Sequence, residues 1–466
     1  MNDPDPSPRN AIPLTSTLAM ACLRQAREPL PPQVLTIARH CLLDWLAVLV
    51  SGWTDPSVGM LEREVLDEEA APRATLLGSG ARTSVTGAAL VNGMASHVLD
   101  FDDVHLRSRV HPSAPLWPAI IAVAERERLD GARALAAFVA GVEMQSRIAI
   151  VMGEEHYQRG WHNTATFGAF GATLASAALL DLDVERTQHA LGICATQAAG
   201  LRAAFGTMCK PLHAGRAAAL GIQSASLARR GFTSQVDMLE RAAGFIELYA
   251  SKRTPEAIAA ALADMPDVMP DYQARTILFK YNASCYGTQG SIEACKQLRE
   301  KVAARLDAIE SINIRVEPQY LSVCCIPAPR TGLEAKFSIA QMAALTLAGW
   351  STVDAASYSC SALDDPLISR LRARVSIAPN AQQPRASADV TVLLSDGTRF
   401  EQHYDASRPE SDLARQEGQL RAKAASLFGE RLDSSRVWPL IDSVLAFDAE
   451  TDVAAFVASF AAALTK

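Results

Sequence analysis

The chain has 466 residues, of which 44 are basic and 51 acidic, so its formal net charge is −7. This acidic balance argues against a nucleic-acid-binding protein, which would present a basic face or stripe. Hydrophobic residues make up 49% and charged residues 20%, which excludes a disordered or fibrous chain and is typical of a globular protein of two or three domains.

The first ten residues, MNDPDPSPRN, are acidic and rich in proline, and they lack the charged-then-apolar order of a secretory signal. We expect residues 1–12 to form a disordered tail. No uninterrupted apolar run approaches the roughly 20 residues that span a bilayer, so we expect no membrane partner. The nine cysteines, an odd number without a CxxC pair, indicate reduced thiols and a cytoplasmic protein.

Apolar residues recur at helical spacing from residue 13 to about residue 249, most clearly in 34–50, 132–144, 164–180 and 185–203. Within 164–180, Gly168, Ala172 and Ser176 lie four residues apart, where small side chains allow a second helix to approach closely. The helical pattern returns after Glu410. We therefore predict a helical domain that comprises residues 13–269 and 406–466.

The pattern changes between residues 270 and 405. Apolar and polar residues alternate in 309–316 and 388–394, which predicts strands. The turn at 395–398, Ser-Asp-Gly-Thr, leads from the second strand into 399–404 and predicts a hairpin. Helical stretches at 290–304 and 335–348 accompany these strands. The fold class is therefore expected to be mainly α, with a smaller α+β domain inserted at 270–405.

Three segments contain side chains suited to chemistry, and the first lies between two helical stretches. It combines three carboxylates, two imidazoles and two guanidinium groups: Asp100, Asp102, Asp103, His105, His111, Arg107 and Arg109. Such a set offers acid/base groups and anchors for an anionic ligand. The structural alternative is a surface loop in which Asp102 or Asp103 caps a helix. A metal site is less favoured, because the residues lack a recognised ligand spacing.

The second segment runs from residue 154 to residue 164 and precedes the helix with the small residues. Tyr157 and His162 would lie at the N-terminus of that helix, where exposed N–H groups and the helix dipole favour an anion. A carboxylate substrate suits this place. The structural alternative is that Asn163 or Thr164 caps the helix.

The third segment surrounds Lys210, the first lysine of the chain. A lysine among apolar neighbours and followed by Pro211 is easily desolvated, which favours its neutral form and suits it to proton transfer. The alternative is a lysine whose stem packs while its ammonium group reaches water. Lys280 is a second such lysine at the predicted domain junction, where clefts form.

Other candidates are less favoured. Cys285 lies in a polar turn without a histidine nearby in sequence, so we do not expect a cysteine nucleophile. We expect four histidines to be ordinary structural or surface residues: His40, His97, His156 and His189. No Walker A segment and no GxGxxG motif after a strand are present, so the sequence offers no support for a nucleotide cofactor.

Several motifs, taken in order over most of the chain, resemble the MmgE/PrpD family. They occupy residues 92–93, 100–103, 111–113, 160–162, 210–215 and 331–338. The resemblance implies a helical-bundle domain with a smaller α+β domain. It also implies a homodimer that acts on a small polycarboxylate substrate without metal or other cofactor.

The resemblance assigns the active-site positions of the family to residues of this chain: Asp100, His111, His162, Lys210, Lys280 and Tyr320. Two positions depart from the decarboxylases of the family, which have threonine in place of Val104 and histidine in place of Cys285. Among family members the chain looks closest to iminodisuccinate epimerase. The resemblance therefore implies an isomerase that epimerises the α-carbon of a dicarboxylate amine, iminodisuccinate, by two-base proton transfer.

An epimerase needs acid/base groups on opposite faces of the substrate, and we assign these roles to Lys210 and Tyr157, with His162 supporting them. Three arginines are predicted to hold the carboxylates: Arg107, Arg109 and Arg202. We predict that Lys210, Tyr157, His162 and His111 line one polar pocket between the two domains.

Two alternatives to the epimerase remain. The first is a lyase that acts on a tricarboxylate, similar to 2-methylcitrate dehydratase or cis-aconitate decarboxylase. The second is an inactive binding scaffold of the same fold, because a fold alone does not establish a function. Candidate residues that are scattered or paired with one another would favour the scaffold.

Overall fold

The computed structural model describes residues 13–250 and 272–465. The tail predicted at 1–12 and the part of the helical domain predicted at 251–269 lie outside these residues. Contacts within the chain form two units, one with residues 13–98, 102–250, 272–277 and 412–465, the other with Leu99–Phe101 and Leu278–Ser411. The domain boundaries predicted at residues 270 and 405 stay a prediction, because a group of contacts need not be an independently folding domain.

The first unit is built from helices. Before residue 251 they are α1 Leu14–Gln25, α2 Pro32–Gly52, α3 Pro56–Asp67, α4 Val85–His97, α5 Ser113–Glu127, α6 Gly131–Met152, α7 Glu154–Gln158, α8 Asn163–Leu179, α9 Val184–Ala195, α10 Cys209–Arg229 and α11 Phe245–Tyr249. Two short strands, β1 Ala74–Thr75 and β2 Arg82–Thr83, pair with each other. Short 3₁₀ helices occupy Arg202–Ala204 and Gln273–Thr276.

Small residues allow the central helices of this unit to approach closely. A Cβ on Gly215 of α10 would lie 2.0 Å from the carbonyl oxygen of Leu90 in α4, and a Cβ on Gly221 would lie 2.5 Å from Cβ of Ala172 in α8. A Cβ on Gly168 would lie 2.7 Å from a proline side chain of α5. No larger side chain fits at such contacts, which confirms the close helix packing predicted from the small residues of α8.

Apolar side chains from α1, α6, α8 and α9 form a core in this unit. It includes Leu18, Met144, Phe170 and Leu191, each fully buried. Burial of one such side chain contributes about 1.5–3 kcal/mol, so a core of this size outweighs the cost of the glycines in α8 and α10.

Two of these helices, α2 and α6, are long and apolar enough to cross a membrane by length and composition alone. Their most apolar windows are 83% and 89% buried within the protein. The core helices of globular proteins pass the same test, so this finding by itself places neither helix in a membrane.

The second unit combines helices with one sheet. Its main helices are α12 Tyr286–Val302, α13 Tyr320–Val323, α14 Gly332–Ala335, α15 Ile339–Ala348, α16 Cys360–Leu363 and α17 Pro366–Ala373. The strands β3 Ile309–Val316, β4 Val375–Pro379, β5 Ser387–Leu394 and β6 Arg399–Asp405 lie in the order β4-β3-β5-β6. Strand β3 is parallel to β4 and antiparallel to β5, and β5 is antiparallel to β6.

The predicted hairpin is confirmed between β5 and β6. Asp396 accepts the backbone N–H of Thr398 at 2.9 Å, and Gly397 adopts φ +85°, which a side chain would strain. After the sheet the chain returns to the first unit with α18 Leu413–Gly429, α19 Ser434–Leu445 and α20 Val453–Thr465. The fold is therefore mainly α with a smaller α+β part, as predicted.

Candidate active site

A group of imidazoles surrounds one carboxylate in the first unit, where α4 ends. Oδ2 of Asp102 lies 2.8 Å from Nδ1 of His97 and 3.3 Å from Nδ1 of His111. The two imidazole rings meet edge to face with their centroids 4.8 Å apart. His97 and Asp102 are buried, whereas the side chain of His111 is 15% exposed. We call the following residues the histidine cluster: His97, Asp102, His111, His162, His213 and Lys210.

Hydrogen bonds from the loop between α4 and α5 hold Asp102 and His111 in place. The carboxylate of Asp103 accepts the backbone N–H of Ser113 at 3.0 Å and its hydroxyl at 2.6 Å, and so caps α5. The backbone N–H of His111 donates to the hydroxyl of Thr164 at 3.2 Å. The surface loop of the structural alternative is therefore wrong, because Asp102 and Asp103 are fully buried. The helix cap of that alternative is confirmed for Asp103, while Asp102 faces the imidazoles.

The other members of the cluster come from α8 and α10. His162 is the N-cap residue of α8, and its Nδ1 lies 3.0 Å from Nδ1 of His213, so one of these nitrogens donates to the other. The rings of His162 and His97 are stacked with centroids 6.0 Å apart. Lys210 lies in the first turn of α10 and is only 5% exposed.

Burial and neighbouring charge determine the ionisation of the cluster. Burial lowers the pKa of His97 to about 4, and the charge of Lys210 adds to this effect. Burial likewise lowers the pKa values of His162 and His213, again with a contribution from Lys210. Burial alone would raise the pKa of Asp102, but its two imidazole neighbours hold that pKa well below its usual range. At neutral pH these three imidazoles are therefore neutral and the carboxylate is ionised.

The crossing of α4 and α10 explains how the cluster forms. A Cβ on Gly93 would lie 2.7 Å from Cα of Gly215, so the two backbones are nearly in contact at this point. His97 follows Gly93 by about one helical turn, and Lys210 precedes Gly215 by somewhat more than one turn. The crossing therefore brings the end of α4 to the start of α10, which gives a physical reason for motifs 92–93 and 210–215.

A second group of predicted residues lies in the same unit and consists of Arg109, Tyr157 and Arg202. Cζ of Arg202 lies 3.9 Å from the centroid of the Tyr157 ring, and Cζ of Arg109 lies 4.7 Å from it. Nη1 of Arg202 also donates to the backbone oxygen of Tyr157 at 2.9 Å. We call these three residues the arginine group. Nη2 of Arg109 already lies 3.2 Å from the carboxylate of Glu154, so these guanidinium groups are placed to bind carboxylates.

Backbone hydrogen bonds connect the arginine group to the histidine cluster. The backbone N–H of Arg202 donates to the carbonyl of Gly160 at 2.8 Å, and that of His162 donates to the carbonyl of Gly200 at 2.9 Å. Trp161 therefore forms an antiparallel bridge with Leu201, the residue between Gly200 and Arg202. The position of His162 is therefore tied to that of Arg202.

Asp100 and Lys280 form a buried pair in the second unit. Nζ of Lys280 donates to the backbone oxygen of Asp100 at 2.6 Å and lies 3.3 Å from its carboxylate. Asp100 adopts φ +51°, a left-handed conformation that aspartate tolerates better than most residues. Nζ of Lys336 donates to the backbone oxygen of Leu99 at 2.7 Å. Tyr320 is 8% exposed and begins α13.

The predicted site residues thus fall into several groups. In the histidine cluster are His111, His162 and Lys210. In the arginine group are Arg109, Tyr157 and Arg202. In the second unit are Asp100, Lys280 and Tyr320. Arg107 is exposed, and its charge acts on His105. The catalytic or binding roles of all of them, and a pocket between two domains, stay predictions.

The structural alternative for the start of α8, a cap from Asn163 or Thr164, is wrong. The N-cap residue is His162, without a side-chain cap. The amide of Asn163 instead donates to the backbone oxygen of Ser108 at 2.8 Å, and Thr164 accepts from the backbone N–H of His111. Both side chains therefore hold the loop before α5.

Three members of the histidine cluster were not predicted as site residues: His97, Asp102 and His213. The expectation that His97 is an ordinary structural histidine stays a prediction; its Nδ1 lies 2.8 Å from Asp102, which also contacts His111. The spacing of five residues between His97 and Asp102 across a helix end was the available signal, and it is weak. The other three histidines of that group have hydrogen-bond partners within the fold, as expected: His40, His156 and His189.

The cluster also meets a distance requirement for metal ligands. Donor atoms of His97, Asp102 and His111 lie within 4.8 Å of one another. Nδ1 of His97, however, is already hydrogen-bonded to Oδ2 of Asp102 at 2.8 Å, and Nδ1 of His111 lies 3.3 Å from the same oxygen. A metal bound through Nδ1 of His97 would have to displace the proton of that hydrogen bond. The donor set therefore fits a hydrogen-bonded group better, and independence from metal stays a prediction.

Comparisons with known proteins match both parts of the chain. The model of the MmgE/PrpD N-terminal domain matches residues 16–258, and that of the MmgE/PrpD C-terminal domain matches residues 282–446. A cis-aconitate decarboxylase-like protein of Aspergillus oryzae is 28% identical over 92% of this chain and 93% of its own. A cis-aconitate decarboxylase of Aspergillus terreus is 26% identical over 94% of each chain. That of Homo sapiens is 30% identical over 70% of this chain and 68% of its own.

Proposed function

The chain belongs to the MmgE/PrpD family, and from this premise we propose that it is a lyase acting on a small polycarboxylate. The family expected from the sequence is thereby confirmed. Similarity to cis-aconitate decarboxylases over most of the chain supports the lyase, the alternative considered above, better than the epimerase. Decarboxylation of cis-aconitate is the reaction to test first.

The observation that carries the proposal is the connection between the histidine cluster and the arginine group. Arg109 and Arg202 supply cations that a carboxylate can meet in a bidentate manner. Buried Lys210 and His162 supply groups that transfer protons or stabilise negative charge. Because backbone hydrogen bonds tie Arg202 to His162, a substrate held by the arginines would be placed relative to the proton-transfer groups.

The two lyase reactions, decarboxylation and dehydration, each require only a few protein groups. In decarboxylation, the bond between a carboxylate and its neighbouring carbon breaks, carbon dioxide leaves, and the electron pair stays on that carbon until an acid returns a proton. In dehydration, a base removes a proton next to a carboxylate, and hydroxide leaves as water after receiving a proton from an acid. Both reactions develop negative charge near the substrate carboxylates, which a buried lysine stabilises. We assign this role to Lys210 and the proton transfer to His162 and His111.

The epimerase remains the second candidate, and two positions favour it. Val104 and Cys285 replace the threonine and the histidine expected of the decarboxylases that the sequence resembles. Epimerisation would use the same proton transfer at an α-carbon without loss of a bond to carbon or oxygen. Lys210 and Tyr157 would then serve opposite faces.

One experiment separates these reactions. The protein is incubated in deuterated water with cis-aconitate, 2-methylcitrate or iminodisuccinate, and products are followed by NMR and by release of carbon dioxide. The lyase predicts carbon dioxide from cis-aconitate, or water loss from 2-methylcitrate. Deuterium at an α-carbon with every carbon and oxygen retained would mean epimerisation and would contradict the lyase. A chelator is expected to leave turnover unchanged.

A matched pair of variants tests the site. Lys210→Met should abolish turnover, whereas Lys296→Met should leave it unchanged, because Lys296 is an exposed lysine of α12 paired with Glu293 at 2.7 Å. Equal activity of both variants and the wild type would remove Lys210 from the mechanism.

A further inference from the structure

One carboxylate oxygen serves two imidazoles in the histidine cluster. Oδ2 of Asp102 faces Nδ1 of both His97 and His111, at 2.8 and 3.3 Å. An ionised carboxylate can only accept hydrogen bonds, so Nδ1 of His97, which bonds to it, must carry a proton. We expect the same protonation for His111 from the longer ion-pair contact of its Nδ1 with the same oxygen. Because burial lowers the pKa of His97 to about 4, that ring is neutral at pH 7, and its other nitrogen, Nε2, has a free lone pair.

His97 differs in this respect from a structural histidine of the same unit. His156 is also buried, yet its Nε2 lies 2.9 Å from the hydroxyl of Thr166 and its Nδ1 lies 3.2 Å from the carbonyl of Tyr249. In His97, Nε2 is buried and has no hydrogen-bond partner among residues 13–250 and 272–465. An unpaired buried acceptor of this kind costs about 1–3 kcal/mol. Within the same described ranges, Nε2 of His40 and Nε2 of His105 are also buried without a hydrogen-bond partner, so what distinguishes His97 is its place in the histidine cluster, stacked on His162.

We propose that Asp102 is a positioning residue that holds His97 and His111 in the same Nδ1–H tautomer, and that His97 is thereby a second proton acceptor of the site. The use of His97 in turnover rests on the proposed function, whereas the tautomers of the two rings do not depend on a substrate. Asp102 acts through the imidazoles, since each ring that donates from Nδ1 presents a lone pair at Nε2. The stacking of His97 on His162 places this second acceptor beside the proton-transfer groups assigned above.

The tautomers can be observed directly. In protein labelled with ¹⁵N-histidine, NMR at pH 7.5 distinguishes a protonated Nδ1 from a protonated Nε2, and His97→Gln and His111→Gln assign the two signals. We expect both rings to be protonated at Nδ1 in the wild type. Asp102→Asn, which removes the carboxylate charge and keeps the size, should change the tautomer of at least one ring.

Asp103→Asn is the matched control. Asp103 is the next residue, is equally buried, and accepts from Ser113 rather than from an imidazole. Its replacement should leave both tautomers unchanged even if it lowers stability. Nε2–H signals for both rings in the wild type, or an unchanged pattern in Asp102→Asn, would overturn the proposal.

Kinetics test the second part. Asp102→Asn should lower kcat by about 10²- to 10⁴-fold with little change in KM, because proton transfer and not binding is affected. The side chain introduced by His97→Gln can still donate to Asp102, so this variant should keep the Nδ1–H signal of His111. It should nevertheless lower kcat at least about tenfold. Full kcat in His97→Gln would refute the role of His97. If the wild type turns over none of the candidate substrates while the tautomers respond as expected, only the proposed function fails.

Discussion

Lys210 affects the candidate site through its positive charge. It lies buried at the start of α10, and its charge contributes to the lowered pKa values of three imidazoles: His97, His162 and His213. A cation that disfavours protonated imidazoles keeps them available as proton acceptors. The lysine therefore influences the site even where it does not touch a substrate.

We predict that Lys210→Met raises the pKa of His213. Burial is the main cause of the lowered pKa of His213, and the charge of Lys210 is the second. Removal of that charge should therefore raise the pKa of His213 part of the way back to its usual value. NMR titration of the His213 ring checks this, with Lys296→Met as the control. A pKa that is the same in wild type and Lys210→Met would show that the lysine charge does not act on this ring.

Asp103 illustrates how a buried carboxyl couples pH to stability. Burial, followed by the nearby carboxylate of Asp44, raises its pKa from 3.8 to about 7. Asp44 itself accepts a hydrogen bond from Nζ of Lys423 at 2.6 Å, which links α2 to α18. Because the folded protein holds the Asp103 proton more tightly than the unfolded chain, its contribution to stability is present below about pH 4 and is lost as the pH rises through 7.

We predict that Asp103→Asn removes this pH dependence. Each pH unit between the two pKa values is worth about 1.4 kcal/mol, so the wild type should lose about 3 kcal/mol relative to the variant between pH 5 and pH 8. Urea unfolding at both pH values measures the difference. A difference in unfolding free energy that stays constant with pH would contradict the raised pKa.

At the scale of elements, the crossing of α4 and α10 decides whether the site forms. Gly93 and Gly215 allow the two backbones to meet, because a side chain at either position would require one helix to move. The crossing brings His97, which follows Gly93, and Lys210, which precedes Gly215, into the same cluster. Displacement of α10 would therefore separate cluster residues that α4 and α10 contribute.

We predict that Gly215→Ala lowers stability by about 1–3 kcal/mol or more, because its Cβ would lie 2.0 Å from the carbonyl oxygen of Leu90. Gly418→Ala is the control, since Gly418 also lies within a helix, α18, and a Cβ there would meet nothing within 4 Å. That variant should gain up to about 1 kcal/mol from helix propensity. Thermal unfolding of both variants checks the pair, and equal stability would mean that α10 tolerates the added methyl group.

At the scale of the whole molecule, the family resemblance implies a homodimer, and we predict one in solution. Two chains of 49.9 kDa give 2 × 49.9 = 99.8 kDa. Light scattering coupled to size-exclusion chromatography measures this mass independently of shape. A measured mass equal to that of one chain, at micromolar protein concentrations, would contradict the prediction.

Much of the architecture follows from the sequence alone. The helical periodicity of α8, the small residues along it and the Ser-Asp-Gly-Thr turn between β5 and β6 depend on residues close together in the chain, so pattern and turn chemistry predict them. The ordered motifs identified the family for the same reason, because each motif is a local segment. Lys210 was also recognisable as a candidate from its apolar neighbours.

Only the tertiary structure decided which side chains meet. The sequence predicts that Tyr157 acts with Lys210, and only the fold shows that its ring lies against Arg109 and Arg202. Only the fold likewise shows that Asp102 contacts both His97 and His111. These contacts depend on helix crossings and on a folded loop, which bring together residues far apart in the chain. Hydrophobic periodicity shows which face of a helix is buried but not which partner it meets there, so the sequence could propose the members of a site without establishing their pairing.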